Sequence, residues 1–304
     1  MKKLIISLAL LLATITATVS CSMLKLDNYD GPNAEITGNL LDVVTGEKVS
    51  LEAAMSQTWS WATWSMVTTI DYGAIVVYEQ GYVPPTWEGK PEDYTGKDSG
   101  QPWLVRFDGQ YTNTLIFAGT YKYSLQKMLP CYDPEEGKDT FVVKEGKNKM
   151  DISVLPYCRV KDPDIYYDEA SQKFVAKFYV ELGDPTRANK VTNVAFCGNT
   201  QVFVGCNNMN LAKDDKLAKA KDVNPGELIT LEIDPADPAN ANLFGKNSNT
   251  GALYQQDRYF RIAAMAEGNG YNSEKNKYYN FSPVFKVSPD FKTVEEVKWD
   301  TYEW

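Results

Sequence analysis

The chain has 304 residues, 43% of them hydrophobic, and a formal net charge of −9. It contains no histidine, which excludes the usual zinc ligand and every Ser-His or Cys-His catalytic pair. The acidic balance argues against nucleic acid as a partner, because phosphate backbones repel negative charge.

The N-terminus has the organisation of an export signal. Lys2 and Lys3 precede a mainly apolar run from Leu4 to Leu12, interrupted only by Ser7, and small residues follow. The run is too short to cross a bilayer. We therefore predict a signal peptide over residues 1–20. Its removal takes away two lysines and no acidic residue, so the net charge falls from −9 to −11.

Residues Thr18-Val19-Ser20-Cys21 resemble the lipobox of bacterial lipoproteins. In such proteins the cysteine carries acyl chains, palmitate among them, and these hold the protein on a membrane. We therefore predict a cell-envelope lipoprotein of the outer membrane, anchored through Cys21. The residues after it, Ser22-Met23-Leu24-Lys25, lack an acidic export signal, which leaves open the cell surface or the periplasmic face.

The remaining chain divides into a tether and two domains. Residues 21–34 are polar and include Gly and Pro, a composition typical of a flexible tether. A boundary is predicted near Pro156, which interrupts a strand pattern, and Lys161-Asp162-Pro163-Asp164 has the composition of a linker or first turn. The predicted domains therefore cover residues 35–155 and 156–304.

The first domain shows a β pattern. A strand is predicted at Ile36–Val44, and apolar residues alternate with polar ones across Leu115–Leu125. Similar alternation on both sides of residues 145–148 predicts a hairpin there. This period-two pattern is typical of half-buried strands in an antiparallel sheet.

Tryptophan is concentrated in the same domain, at Trp59, Trp61, Trp64, Trp87 and Trp103. The segment that holds the first three fits a helix or a strand, and either geometry divides their rings between two faces. One interpretation is a carbohydrate-binding platform, because the flat C–H faces of sugars stack on indole rings. The other is packing in the core or between domains, which is the commoner fate of tryptophan.

The second domain contains about seven short strands, separated by Gly, Pro, Asn and Asp, which is typical of an immunoglobulin- or fibronectin-like sandwich. A short helix is also predicted at Leu211–Lys221, and Trp299 and Trp304 of the tail are expected to dock onto the domain. The strands are predicted at Phe174–Leu182, Val191–Phe196, Gln201–Gly205, Leu228–Ile233, Arg258–Ala266 and Val284–Val287.

Four cysteines remain if Cys21 is acylated: Cys131, Cys158, Cys197 and Cys206. An exported protein lies in a compartment that permits disulfides, and the pairs nearest in sequence are Cys131 with Cys158 and Cys197 with Cys206. The alternative is four buried free thiols that pack as small hydrophobic side chains.

Three blocks of the sequence carry a family resemblance. The first combines Asp27-Asn28-Tyr29-Asp30-Gly31-Pro32-Asn33-Ala34 with Thr45-Gly46-Glu47, the second runs from Phe107-Asp108-Gly109 to Ala118-Gly119-Thr120-Tyr121, and the third is Pro156-Tyr157-x-Arg159-Val160. They resemble a Bacteroidetes lipoprotein family known as domain of unknown function 3823 (DUF3823). The resemblance implies an all-β protein of two tandem sandwiches: a prealbumin- or carboxypeptidase-regulatory-like N-terminal domain and an Ig-like C-terminal domain. It also implies an accessory role in glycan capture beside outer-membrane systems of the starch-utilisation type.

No phosphate loop, nucleophile elbow or metalloprotease motif occurs in the sequence. The acidic residues near Asp133 and near Asp162 do not match a calcium loop and are expected to be solvated. We therefore expect a non-enzymatic protein without cofactor or metal, bound to an oligo- or polysaccharide and to outer-membrane uptake proteins. The alternative is a structural or adhesion module that binds another outer-membrane protein. A carboxylate-based glycosidase is a third possibility and requires two facing carboxyl groups.

Overall fold

The computed structural model describes residues 31–52, 54–60, 65–71, 74–81, 100–125, 129–135, 137–188, 190–206, 209, 218–245, 250–267 and 279–299. The predicted fold class is confirmed, since the described chain forms an all-β protein of two sandwiches in tandem. Strands up to Pro156 pair among themselves, and so do those from Cys158 onward. Within these ranges no helix is both long and apolar enough to cross a membrane.

The first domain contains two sheets and a separate hairpin. One sheet has the order β10-β1-β11-β8, with β6 also paired to β1, and the other has the order β5-β4-β7-β9, while β2 and β3 pair with each other. The strands are β1 (Ala34–Asp42), β2 (Ala54–Ser60), β3 (Ser65–Asp71), β4 (Ala74–Glu79), β5 (Gln101–Leu104), β6 (Gln110–Ile116), β7 (Gly119–Leu125), β8 (Cys131–Tyr132), β9 (Thr140–Val143), β10 (Gly146–Lys149) and β11 (Ile152–Pro156).

Two predictions for this domain are wrong. β1 runs parallel to β10 and β11, so its sheet is mixed rather than purely antiparallel. The hairpin predicted around residues 145–148 does not form, because β9 pairs with β7 while β10 crosses to β1 in the other sheet. The Asn148 side chain stabilises the crossing: it accepts a hydrogen bond from the Lys144 amide (3.0 Å) and donates one to the Lys144 carbonyl (2.7 Å).

The first core requires a glycine in the middle of β1. The backbone of Met150, in the link between β10 and β11, passes so close to Gly38 that an added Cβ would lie 1.6 Å from the Met150 carbonyl oxygen. The hydroxyl of Tyr111, a buried residue, donates to the same carbonyl. Gly38 therefore allows the link at Met150 to pass close to β1 beside Tyr111.

The second domain packs a three-stranded sheet, β12-β13-β16, against a six-stranded sheet, β15-β14-β17-β19-β20, in which β18 also pairs with β17. A 3-10 turn at Pro238–Asn240 leads into the short helix α1 at Ala241–Phe244. The strands are β12 (Cys158–Asp168), β13 (Lys173–Leu182), β14 (Val191–Asn199), β15 (Lys219–Val223), β16 (Ile229–Ile233), β17 (Arg258–Ala266), β18 (Asn280–Phe281), β19 (Phe285–Val287) and β20 (Val294–Glu296).

Three details of the second domain differ from the sequence predictions. Residues 201–205 form no strand. The helix predicted at Leu211–Lys221 lies mainly outside the described residues, and its last part belongs to the strand β15. The segment predicted as a linker or first turn, Lys161–Asp164, is instead a β-bulge inside β12, since the strand continues on both sides of it.

The central strands β14 and β17 are buried on both faces. Phe196 and Phe260 point into the sandwich core, whereas Cys197 and Ala263 belong to a second cluster on the opposite face, together with Val204. Two-sided burial explains why these strands are almost continuously apolar and do not alternate. The outer face of this sheet is therefore where the first domain and the tail attach.

We expect Gly38→Ala to destabilise the protein, because its methyl group would overlap backbone atoms that cannot move without displacing β1. The free energy of unfolding, measured by denaturant titration, should fall by about 1–3 kcal/mol or more. Gly31→Ala is the control, since nothing lies within 4 Å of a Cβ there, and it should leave stability unchanged or raise it by up to about 1 kcal/mol. Equal stability of the two variants would contradict the packing described for Gly38.

Candidate functional site

The predicted glycan contacts do not form one platform in the described structure. Trp103 is only 3% exposed and lies in the first core, where its ring stacks on Tyr111 at 5.9 Å and meets Phe141 edge-on at 5.7 Å. The prediction of Trp103 as a glycan contact is therefore wrong, because a ring enclosed by aromatic neighbours cannot stack on a sugar.

Trp59 lies in β2, paired with Met66 of β3. The segment that the sequence left open between helix and strand is thus a β-hairpin, whose first strand begins at Ala54, two residues after Glu52. Trp61, Trp64 and Trp87 lie outside the described residues, as do Cys21 and Trp304, so their predicted roles stay predictions.

The remaining cysteines are all free thiols, and three of them are buried. Cys197 and Cys206 come together, with their Sγ atoms 3.6 Å apart. Cys158 donates through Sγ to the Ala264 carbonyl at 3.5 Å, and burial raises the pKa of Cys131. Of the two predicted pairs, Cys197 and Cys206 are the one whose thiols contact each other in the described structure.

A buried arginine joins the two domains. Arg261 of β17 is 2% exposed, and its guanidinium donates to the Leu51 carbonyl at 2.7 Å and to the Ser50 hydroxyl, both in the first domain. On its own side it donates to the Ser282 carbonyl at 3.0 Å. Burial lowers the pKa of Arg261 to about 10, so the side chain stays charged at neutral pH.

A second charged contact lies at the edge of the junction. Arg159 of β12 forms a bidentate pair with Asp42 of β1, through Nε and through Nη2 at 2.8 Å. Both side chains are almost fully buried. Burial by itself raises the pKa of Asp42, but the hydrogen bonds and charge of Arg159, with the Val44 amide, hold it below its ordinary value of 3.8.

Two further contacts complete the junction. Asn280 donates to the Pro130 carbonyl at 2.9 Å and accepts from the Cys158 amide at 3.1 Å. Phe107 of the first domain meets Trp299 of the tail edge-on at 4.5 Å, and also contacts Phe203 at 4.8 Å. The predicted docking of the tail is confirmed for Trp299, which the first domain helps to cover.

A cleft of about 390 Å³ opens beside these contacts, between the two domains. We call it the junction cleft; it lies between residues 45–50 of the first domain and residues 159–163, Phe281 and Phe285 of the second. The bulge in β12 forms one wall, and there Asp162 has a φ of +49°. Left-handed backbone at a non-glycine residue costs about 1–3 kcal/mol and is concentrated at functional sites.

A second cleft, of about 380 Å³, lies between β9 and β11 of the first domain, and Arg187 of the second domain also lines it. We call it the first-domain cleft. β9 pairs only with β7 in the described structure, and β11 pairs with β8 only at Leu155 and Pro156. Because Val154 accepts from the Val43 amide of β1, alternation leaves the N–H and C=O of Ser153 facing the cleft.

The sequence interpretation missed the junction cleft. The sequence predicts Asp162 to be a solvated acid. In the structure it lies in the bulge of β12 and lines the junction cleft. The sequence feature that could have indicated the bulge is Asp162-Pro163 within a strand-like segment, because proline in a strand is confined to edges and bulges. Among the described residues, no three His, Cys, Asp or Glu side chains come together as a possible metal site.

The chain is similar in structure to several solved bacterial proteins. One is a protein of Bacteroides uniformis described as a "putative carbohydrate binding protein", 26% identical, with a TM-score of 0.61; the match covers 85% of this chain and all of that one. DUF3823 family proteins from Bacteroides ovatus (20% identical, TM-score 0.52) and Parabacteroides merdae (16%, TM-score 0.56) match over 85% of this chain and all of theirs. The family resemblance is thus confirmed at the level of the fold. No protein-family model and no curated protein matches the sequence.

The Asp42–Arg159 pair should make stability depend on pH. Because the folded-state pKa of Asp42 is lowered, its ionised form stabilises the fold above the unfolded pKa of about 4, and this contribution is lost as pH falls through the folded-state value. Asp42→Asn should cost on the order of 3 kcal/mol at neutral pH, with the difference from wild type shrinking in acid. Unfolding free energies measured across the acid range test this; Glu47→Gln, an exposed change in the same turn, should run parallel to wild type.

Cys197 and Cys206 should form a disulfide when the folded protein is incubated with oxidised glutathione. Two thiols lose two protons and two electrons, and the glutathione disulfide is reduced to two thiols. The pKa of Cys206 is raised by its contact with Cys197 and by burial, so the reaction should be faster in mildly alkaline buffer. Non-reducing peptide mapping should find the link, and closing this loop should add about 2–3 kcal/mol of stability. Cys206→Ser is the control, and persistence of both thiols under the oxidant would contradict the prediction.

Proposed function

We propose that this chain, which has the fold of the DUF3823 proteins, is a non-catalytic glycan-binding lipoprotein of the cell envelope. The observation that carries the proposal is the likeness to the carbohydrate-binding candidate of Bacteroides uniformis, at 26% identity and over the whole of that protein. A binding role also suits a chain without histidine, because it requires complementary contacts rather than a general base.

The clefts of the structure support this proposal. Both are near the lower end of the 300–1,000 Å³ expected for small-molecule sites, and each combines aromatic rings with charged side chains. The first-domain cleft is lined by Tyr132 and Phe141 next to Asp133 and Arg187. A sugar has C–H faces that can stack on aromatic rings and hydroxyls that can form hydrogen bonds with charged groups.

The location in the envelope remains part of the proposal. The lipobox-like segment before Cys21 supports an acyl anchor, and the polar residues up to 34 would act as a tether. An anchored glycan-binding protein beside an outer-membrane uptake system would raise the local concentration of its ligand there. The uptake proteins would be its protein partners.

Affinity gel electrophoresis in starch, xyloglucan, galactomannan and mucin tests the glycan function. At least one polysaccharide should retard the wild-type chain, and Trp61→Ala with Trp64→Ala should weaken this, because the change removes two indole rings on which a sugar face could stack. Tyr254→Ala, which removes an exposed ring of the second domain, is the control. Binding untouched by the double substitution would exclude those two tryptophans; no retardation in any gel would contradict the function.

One observation favours the alternative, a module that binds another outer-membrane protein. The first-domain cleft is bordered by two open strand edges, where β9 exposes the N–H and C=O of Thr140 and Val142 and β11 those of Ser153. Open edges accept an extended segment of another chain by strand addition. A complex with an uptake protein formed without glycan, and lost on Thr140→Pro, would favour this function.

A further inference from the structure

We propose that the junction cleft is the sugar-binding site, where one stretch of glycan lies between the two domains and is held by Lys48, Lys161 and Asp162. This inference rests on the proposed function and gives it a location. It differs from the tryptophan platform suggested by the sequence, because Trp103, the first-domain tryptophan whose side chain the structure describes, does not line this cleft.

The side chains at the rim are available to a ligand. Glu47 and Lys48 on one side, and Lys161 and Asp162 on the other, form no hydrogen bond or ion pair with another described side chain. They provide two cationic donors and two anionic acceptors facing a single cleft. A sugar hydroxyl both donates and accepts, so a mixed rim of this kind matches a polyol on all sides.

The charge balance of the cleft selects against a strongly charged ligand. Its acidic side chains are Asp42, Glu47, Asp162 and Glu296, and its basic ones are Lys48, Arg159 and Lys161. Of these, Asp42 and Arg159 neutralise each other. A phosphate or polyanion would need a clear excess of positive charge, whereas a neutral glycan needs none. Half-buried rings of Phe281 and Phe285 add the apolar surface on which a sugar face can stack.

The bulge in β12 builds this wall. In a regular strand, successive side chains point to opposite faces, but the consecutive residues Lys161, Asp162 and Pro163 all line the cleft, at the point where the register shifts between Lys161 and Asp164. Bulges re-aim side chains in this way and are frequent beside binding sites. The left-handed backbone at Asp162 is the conformational cost of presenting Lys161 and Asp162 together.

The frame behind the rim is rigid. Asp42 and Arg159 are paired across the junction, and Asn280 is bonded to both domains. A sugar bound here would contact two domains whose relative position is already held by buried polar contacts. Little conformational entropy would then be lost on binding.

The chain contains its own control for the test. Lys221-Asp222 in the edge strand β15 repeats the same dipeptide, and Asp222 also has a left-handed φ, +50°. These residues do not line the junction cleft. The matched variants are Lys161→Ala with Asp162→Gly, and Lys221→Ala with Asp222→Gly; glycine keeps the positive φ free of strain. Lys48→Ala is a second cleft variant, in an exposed side chain of the other domain.

The full chain and these variants are compared by affinity electrophoresis in starch, xyloglucan, galactomannan and mucin gels, after thermal unfolding has verified each fold. We expect the Lys161/Asp162 variant to lose about tenfold or more in affinity, because it removes the charged hydrogen bonds that both side chains would make to the sugar. Lys48→Ala should lose affinity in the same gel, and the Lys221/Asp222 variant should bind as wild type does.

Two results would overturn the inference. If both cleft variants bind like wild type, or if the control pair loses as much affinity as they do, the sugar does not bind in the junction cleft. The glycan function itself would then be unaffected. If the wild-type chain binds none of the four polysaccharides, the glycan function itself fails and the site fails with it.

Discussion

A charged guanidinium in a site closed to water constrains the whole junction. Arg261 is 2% exposed, and an unpaired cation at such a position would be prohibitively costly. Its donors are therefore met by oxygens of both domains: the Leu51 carbonyl, the Ser50 hydroxyl and the Ser282 carbonyl. Separating the domains would leave these groups unpaired, so the two sandwiches are held in one arrangement.

That arrangement explains features of the second domain that an isolated sandwich would not need. Its central strands are apolar on both faces, because the outer face is covered by the first domain, by the loop that carries Cys206 and by the tail with Trp299. The Asp42–Arg159 pair lies at another edge of the same contact. The junction cleft is the gap that remains between these fixed points, and its shape is thus a property of the two-domain unit.

The predicted and the observed binding surfaces place different residues in contact with a ligand. The sequence suggests tryptophans as the ligand contacts, yet Trp103 is buried in the first core. Trp59 lies in the hairpin of β2 and β3, which pair with each other and with no other described strand. The clefts instead combine phenylalanine or tyrosine rings with lysines, arginines and acids that look unremarkable in sequence. The hairpin begins at Ala54, two residues after Glu52 and close to the Leu51 carbonyl that Arg261 binds, so the aromatic segment and the junction are adjacent along the chain.

The sequence by itself determined the all-β class and most strands of the second domain, because alternation and turn residues are local properties that each strand carries in its own residues. The family fold was implied by the resemblance of its recurring sequence blocks. The sequence also predicted an export signal and an acyl anchor at Cys21. Only the tertiary structure decided which strands pair, as with β1 lying parallel to β10 and β11, since pairing partners are far apart in the chain. The tertiary structure likewise shows that Lys161–Asp164, predicted as a linker or first turn, is a bulge within a strand. The junction cleft depends on contacts more than 100 residues apart, such as Asp42 with Arg159, and no local pattern encodes that proximity.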